Sequence, residues 1–149
     1  MSRTTHGIGR RIAAATVPLV LLTACGGEQT TKVAASGVVG DWRGPGVDRI
    51  TLSPDHTFVS HDLGKKSDHC PAGRNSGTWG FFVDDGDSGA AVSHKADSGD
   101  RIGLSFDGDG SQEFPCFVDL AVVDGGKGLC ETTDPDDPCS VGVKLTREK

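Results

Sequence analysis

A chain of 149 residues with 15 Lys+Arg against 21 Asp+Glu carries a formal charge of −6, which argues against a nucleic-acid binder, since such a binder needs a clustered basic face. Hydrophobic residues at 35% and charged residues at 24% are too balanced for a disordered tail, and the length fits one domain. Twenty-two glycines scattered along the chain count against long helices, since each costs ~1 kcal/mol in a helix interior.

Residues 1–24 read as an export signal. Arg3, Arg10 and Arg11 form a positive start with no acid in it, and Ile12 to Leu22 is an uninterrupted apolar run. The run is too short to cross a bilayer as a helix, which takes ~20 residues, and it suits the apolar core of a signal peptide. Arg10-Arg11 is a twin-arginine pair without the rest of that motif, so ordinary secretory export is expected. The run ends in Leu22-Thr23-Ala24-Cys25, which resembles the lipobox of bacterial lipoproteins. The resemblance implies a diacylglycerol on the Cys25 thiol, cleavage before Cys25, and a membrane anchored through that lipid as the first partner. More than one acyl chain is what makes such anchoring stable. Cleavage would remove Arg3, Arg10 and Arg11 and no acid, taking the formal charge from −6 to −9. Anionic headgroups repel such a body, so the lipid rather than the surface is expected to hold it. Residues 25–37 are expected to be the lipidated cysteine and a polar tether of twelve residues, reaching on the order of 20 Å.

With Cys25 acylated, Cys70, Cys116, Cys130 and Cys139 remain. An even number in an exported domain predicts two disulfides, with three possible connectivities. Cys130 and Cys139 flank the turn-rich segment Glu131 to Pro138, so the two ends of a hairpin favour Cys130–Cys139, leaving Cys70–Cys116. There is no C-x-x-C pair, and only His69 adjoins a cysteine, so neither a metal nor another cofactor is expected.

From residue 38 to 149, β-prone runs alternate with Gly, Asp and Pro clusters in the manner of an antiparallel sandwich or barrel. Arg49 to Ser53 alternates, with Ile50 and Leu52 on one face; Ser53 to His56 is a turn, and Thr57 to Leu63 the return strand. Gly77 to Val83 puts Trp79, Phe81 and Val83 on one face, and Asp84 to Gly89 turns. Arg101 to Phe106 alternates strictly, and Asp107 to Gly110 turns again. Glu113 to Val123 follows, with Pro115 marking an edge or bulge, then a hairpin turn at Asp124 to Lys127. Ser140 to Thr146 closes the chain with Val141, Val143 and Leu145 on one face. The expected fold is all-β: an up-and-down antiparallel meander of eight or nine strands closed into a small barrel with two disulfides.

Val39-Gly40-Asp41-Trp42-Arg43 resembles the G-x-W opening of lipocalin-like proteins. With Ile50 to Phe58, Ser76-Gly77-Thr78-Trp79 and a last strand ending in Arg147, the chain is similar to the small lipocalin-like lipoproteins of high-GC actinobacteria over roughly residues 38 to 147. That resemblance implies that Trp42 closes one barrel end beneath Arg147, a cation–π contact of ~0.5–2 kcal/mol. The chain departs from true lipocalins in its length, its cysteine pattern and its missing C-terminal helix.

Asp107-Gly108-Asp109 opens like a calcium loop, but Gln112 stands where the turn glycine belongs and Val118 where the bidentate Glu belongs. Asp84 to Asp87 and Asp134 to Asp137 read as turns, with three acidic turns on one rim as a weak cation collector. His56 and His61 fall on opposite strand faces and offer no paired ligand set. No nucleophile elbow or H-E-x-x-H motif is present, so no enzymatic activity is expected. Two functions remain. One is a monomeric binding module for a small apolar or amphiphilic ligand or an envelope partner. The other is a filled-core structural or interaction lipoprotein acting through its acidic loops, including a protease-inhibitor-like role.

Overall fold

Among the described residues, alternating apolar residues separated by glycine- and aspartate-rich turns build eleven strands and two single-turn 3-10 helices. The computed structural model describes residues 28–63, 70–86, 89–108 and 116–148. The export segment, Cys25, Gly26-Gly27, His69, Asp87 and the stretch from Asp109 to Pro115 lie outside the described residues.

The strands are β1 (Val33–Ala34), β2 (Gly40–Gly44), β3 (Val47–Leu52), β4 (Thr57–His61), β5 (Arg74–Asp84), β6 (Ala90–Ser93), β7 (Ser98–Gly99), β8 (Arg101–Phe106), β9 (Phe117–Val123), β10 (Gly128–Thr132) and β11 (Lys144–Arg147). Nine of them form one antiparallel sheet in the order β4-β3-β2-β11-β10-β9-β8-β5-β6, and β4 also pairs with β5. That last pairing closes β2-β3-β4-β5-β8-β9-β10-β11 into an eight-stranded up-and-down barrel, with β6 as an extra strand alongside β5. The expected fold class is the observed one.

Closure depends on β5, whose 11 residues pair with β4 through Arg74–Thr78 and with β8 through Gly77–Phe81. The strand is squeezed from both sides at Gly77. A Cβ there would lie 2.0 Å from the Ser105 carbonyl oxygen and 2.8 Å from the Phe58 ring, so only glycine lets the walls meet. The inward faces supply the core. Trp42, Ile50, Leu52, Phe58, Trp79, Phe81, Ile102, Leu104, Leu120, Leu129 and Leu145 are all buried and belong to a single contiguous cluster.

The tether expectation needs correction from Glu28 onward. Val33 and Ala34 pair with Gly99 and Ser98, and the Thr31 N–H donates to the Val122 carbonyl at 2.8 Å. Val33 and Ala35 pack against the main core, and residues 35–37 form a 3-10 turn. The folded body therefore begins at or before Glu28, ten residues earlier than the predicted boundary at 38. A lone valine among small polar residues shows no periodicity, so the sequence pattern could not distinguish this strap from a linker.

Candidate functional site

The end of the barrel where β2 begins is built around Trp42 and Arg147. They are direct cross-strand partners on β2 and β11. Trp42 is fully buried, and its indole N–H donates to the Val38 carbonyl at 2.8 Å. The Arg147 guanidinium carbon stands 4.6 Å from the centre of the Trp42 ring. From there Arg147 donates to the Val39 carbonyl at 2.8 Å and to the Gly37 carbonyl. Gly40, with φ +134°, sits beneath it, and a Cβ at that position would lie 2.9 Å from the guanidinium. The glycine and tryptophan of the G-x-W pattern thus have separate physical roles. One leaves room for the arginine, and the other carries it. The arginine in turn satisfies one carbonyl of the 3-10 turn that seats the N-terminal strap, Gly37, and one just after it, Val39.

Both cysteine pairs are bridged as favoured from the sequence. Cys70–Cys116 joins the segments following β4 and β8, with Cα atoms 4.8 Å apart, and Cys130–Cys139 closes the segment between β10 and β11, at 5.0 Å. The Glu28 carboxylate lies against both sulfurs of the second bridge, and Lys144 pairs with Glu28 and with Asp124. Hydrogen bonds to Asp124 first and then to Glu28 hold the Lys144 proton on. Glu28, Cys130 and Cys139 are the one grouping of metal-ligating atoms among the described residues. It lacks the donor chemistry for a metal, because disulfide sulfurs are not thiolates.

The acidic turns spend their carboxylates on their own backbones. Asp84 Oδ1 accepts from the Gly86 N–H, Asp134 Oδ1 from the Asp136 N–H, and Asp137 Oδ1 from the Cys139 N–H. They do not share a rim, which corrects that expectation. The turn after β5 lies at the end where β5 finishes. The segments after β8 and β10 lie at the opposite end, because Phe106 pairs with Gly77 and Thr132 with Asp119. Strict antiparallel order separates them.

One grouping had no signal in local spacing. His56 and His94 both donate Nδ1–H to the Trp79 carbonyl, at 3.1 and 2.8 Å, with His56 stacked 4.4 Å from the Trp79 ring. A carbonyl only accepts, so this shared partner fixes the proton position on both rings. Inside the barrel, Glu131 is 7% exposed, and the Ser60 hydroxyl is buried without a hydrogen-bond partner. Alternation from Leu129 would have placed Glu131 inward.

The outer wall carries two more features. On β5, β8 and β9, Phe82 and the half-exposed Phe117 meet edge to face, and Arg101 lies over Phe82 while pairing with Asp119 at 2.9 Å. Burial pushes the Asp119 carboxyl up, against the opposing pull of Arg101. On β3, β4 and β5, an open groove of about 420 Å³ is lined by Arg49, Thr51, Val59, Ser60, His61 and Arg74. Beside it the Thr51 hydroxyl, and next the Arg49 guanidinium, hold the Asp41 carboxyl below its ordinary range.

Compared with known proteins, the chain matches no family model, no curated protein and no solved structure.

Proposed function

We propose that this protein is an envelope lipoprotein, held to the outer face of the cytoplasmic membrane through Cys25, that works through the outer wall of a filled barrel. What supports the filled-barrel reading is the interior itself. Two tryptophans, Trp42 and Trp79, and the phenylalanines Phe58, Phe81 and Phe106 all point inward and belong to one core cluster. An eight-stranded barrel has an interior just wide enough for its own side chains or for one small ligand. Aromatic residues of this bulk take up that space. The lipobox-like Leu22-Thr23-Ala24-Cys25 and the four bridged cysteines of an oxidising compartment support the location. No constellation of nucleophile, base and oxyanion donors emerges from the described residues, so the reading is of an interaction protein and not an enzyme.

Titration with an environment-sensitive apolar dye tests the filling. The native barrel is expected to give no saturable signal and no quenching of Trp42 or Trp79. Stoichiometric binding with tryptophan quenching would overturn it. Cys25→Ala is expected to move the protein from the membrane fraction to the soluble fraction, and retention in the membrane would overturn the anchoring.

A further inference from the structure

The two disulfides differ in what surrounds them. Cys70–Cys116 packs against the main core and spans 46 residues. Cys130–Cys139 lies on the outer wall. Cys130 is fully buried in a small cluster of its own with Ala121 and Val123, and Cys139 is half-buried at its margin. A bridge resists reduction by what it contributes to the fold, and a longer loop contributes more. Spans of 46 and 9 residues differ in this respect by about tenfold in the reduction equilibrium.

The polar surroundings of the shorter bridge suit two thiols better than a disulfide. The Glu28 carboxylate lies 3.4 Å from Cys130 Sγ and in contact with Cys139 Sγ. Disulfide sulfurs carry no proton, so the carboxylate meets lone pairs there and no donor. Two thiols would each donate to it, and hydrogen bonds to an ionised acceptor are the stronger kind. Lys144 is the ion-pair partner of Glu28 and the direct cross-strand neighbour of Cys130. Its ammonium therefore stands beside the buried sulfur, and it offsets the charge of Glu28 toward an approaching thiolate. A pair whose reduced form is stabilised in this way is a readily reduced one.

We propose that Cys130–Cys139 is a redox-active thiol-exchange site that accepts an electron pair from a dithiol, while Cys70–Cys116 is the structural bridge. A thiolate of the dithiol bonds to Cys139 Sγ, the more accessible sulfur. The S–S bond breaks, and Cys130 leaves with the electron pair beside the Lys144 ammonium. The second thiolate of the dithiol then bonds to its own sulfur in the mixed disulfide, and Cys139 leaves. The dithiol ends as a disulfide, oxidised by two electrons. Its two protons end on Cys130 and Cys139, whose thiols then donate to Glu28. The site adds a chemistry to the outer wall and depends neither on the filling of the interior nor on the lipid at Cys25.

The test equilibrates the purified protein in mixtures of reduced and oxidised dithiothreitol, blocks free thiols at each ratio, and maps every cysteine by peptide mass. Cys25 is then read separately from the two bridges. Cys130–Cys139 is expected to be half-reduced at a reduced-to-oxidised ratio about 100-fold below that for Cys70–Cys116, about tenfold from loop length and about tenfold from Glu28. Glu28→Ala is expected to raise the ratio for Cys130–Cys139 about tenfold, or about 30 mV for a two-electron couple, and to leave Cys70–Cys116 unchanged. Reduction of both bridges at one ratio, or of Cys70–Cys116 first, would overturn the site. So would a Cys130–Cys139 ratio that Glu28→Ala leaves unchanged or lowers. With reduced glutathione the mixed disulfide is expected on Cys139, and its appearance on Cys130 would overturn the order of attack. The apolar dye and the membrane fractionation report on the interior and the anchor separately.

Discussion

Arg147→Ala tests the logic of the closed barrel end. The substitution removes the guanidinium 4.6 Å from the Trp42 ring and its hydrogen bonds to the Val39 and Gly37 carbonyls. The stacked cation contributes about 0.5–2 kcal/mol. A charge-assisted bond to a carbonyl adds ~1.5 kcal/mol at the low end, which is the right end for an exposed side chain. The expected loss is about 2–3.5 kcal/mol, a shift in the urea midpoint on the order of 1 M. The fold should survive, because Trp42 keeps its own bond to Val38 and its burial. A double-mutant cycle with Trp42→Phe isolates the contact between the two side chains. The phenyl ring retains a face for the cation but gives up the indole N–H, so coupling should be small for Phe and large for Trp42→Ala. Limited proteolysis gives a spatial readout, since Arg147→Ala should expose the strap between residues 28 and 39 to cleavage before the barrel unfolds. A loss below about 0.5 kcal/mol with an unchanged cleavage pattern would refute the argument, because surface substitutions away from such contacts stay in that range.

Two other outcomes follow from the same structure. Removing Cys70–Cys116, which spans 46 residues, should cost about 4 kcal/mol by loop-closure entropy, and removing Cys130–Cys139, which spans 9, about 2.6 kcal/mol. Paired Cys→Ala variants compared by urea unfolding check the order, and a reversed order would contradict it. In acid, Asp55 is held below its ordinary range by the Thr57 hydroxyl and N–H, and Asp41 by Thr51 and Arg49. Their stabilisation is therefore present above the unfolded carboxylate value near ~4 and is lost as pH falls through the lowered folded values. Asp119 runs the other way, because its raised folded value favours folding as the pH falls through it. Asp55→Asn should flatten the acid loss of stability and Asp119→Asn should steepen it, read as urea midpoints across about pH 2 to 5. Identical slopes in both variants would contradict the assignment.

Much of the barrel is legible in the sequence because its inward faces alternate without interruption. Arg101 to Phe106 is both the predicted and the observed strand. Ile50 and Leu52 face inward as read, and Asp124 to Lys127 turns between β9 and β10. The last strand begins at Lys144 rather than Ser140, because residues 139–142 still turn, with the Gly142 N–H donating to the Cys139 carbonyl at 2.9 Å. The short Ala90–Ser93 strand has too little apolar content to announce itself and forms because β5 overruns β4 and leaves an edge to pair. The cross-strand line of Arg49, His61 and Arg74 along the outer groove was within reach only in part. Folding the chain about the Ser53–His56 turn sets Leu52 against Phe58 and hence Arg49 against His61. Its third member was not, because Arg74 meets His61 only once the chain between them has looped back. The meeting of His56 and His94 on the Trp79 carbonyl depends on barrel closure and leaves no trace in spacing.

The central claim is a barrel filled by its own side chains and active through its outer wall. Native mass spectrometry of the protein purified from its source tests it most directly. The account predicts a polypeptide with two disulfides, the lipid on Cys25 and no apolar passenger in the barrel. A stoichiometric apolar ligand that survives removal of the lipid anchor and leaves only when the barrel is unfolded would contradict it.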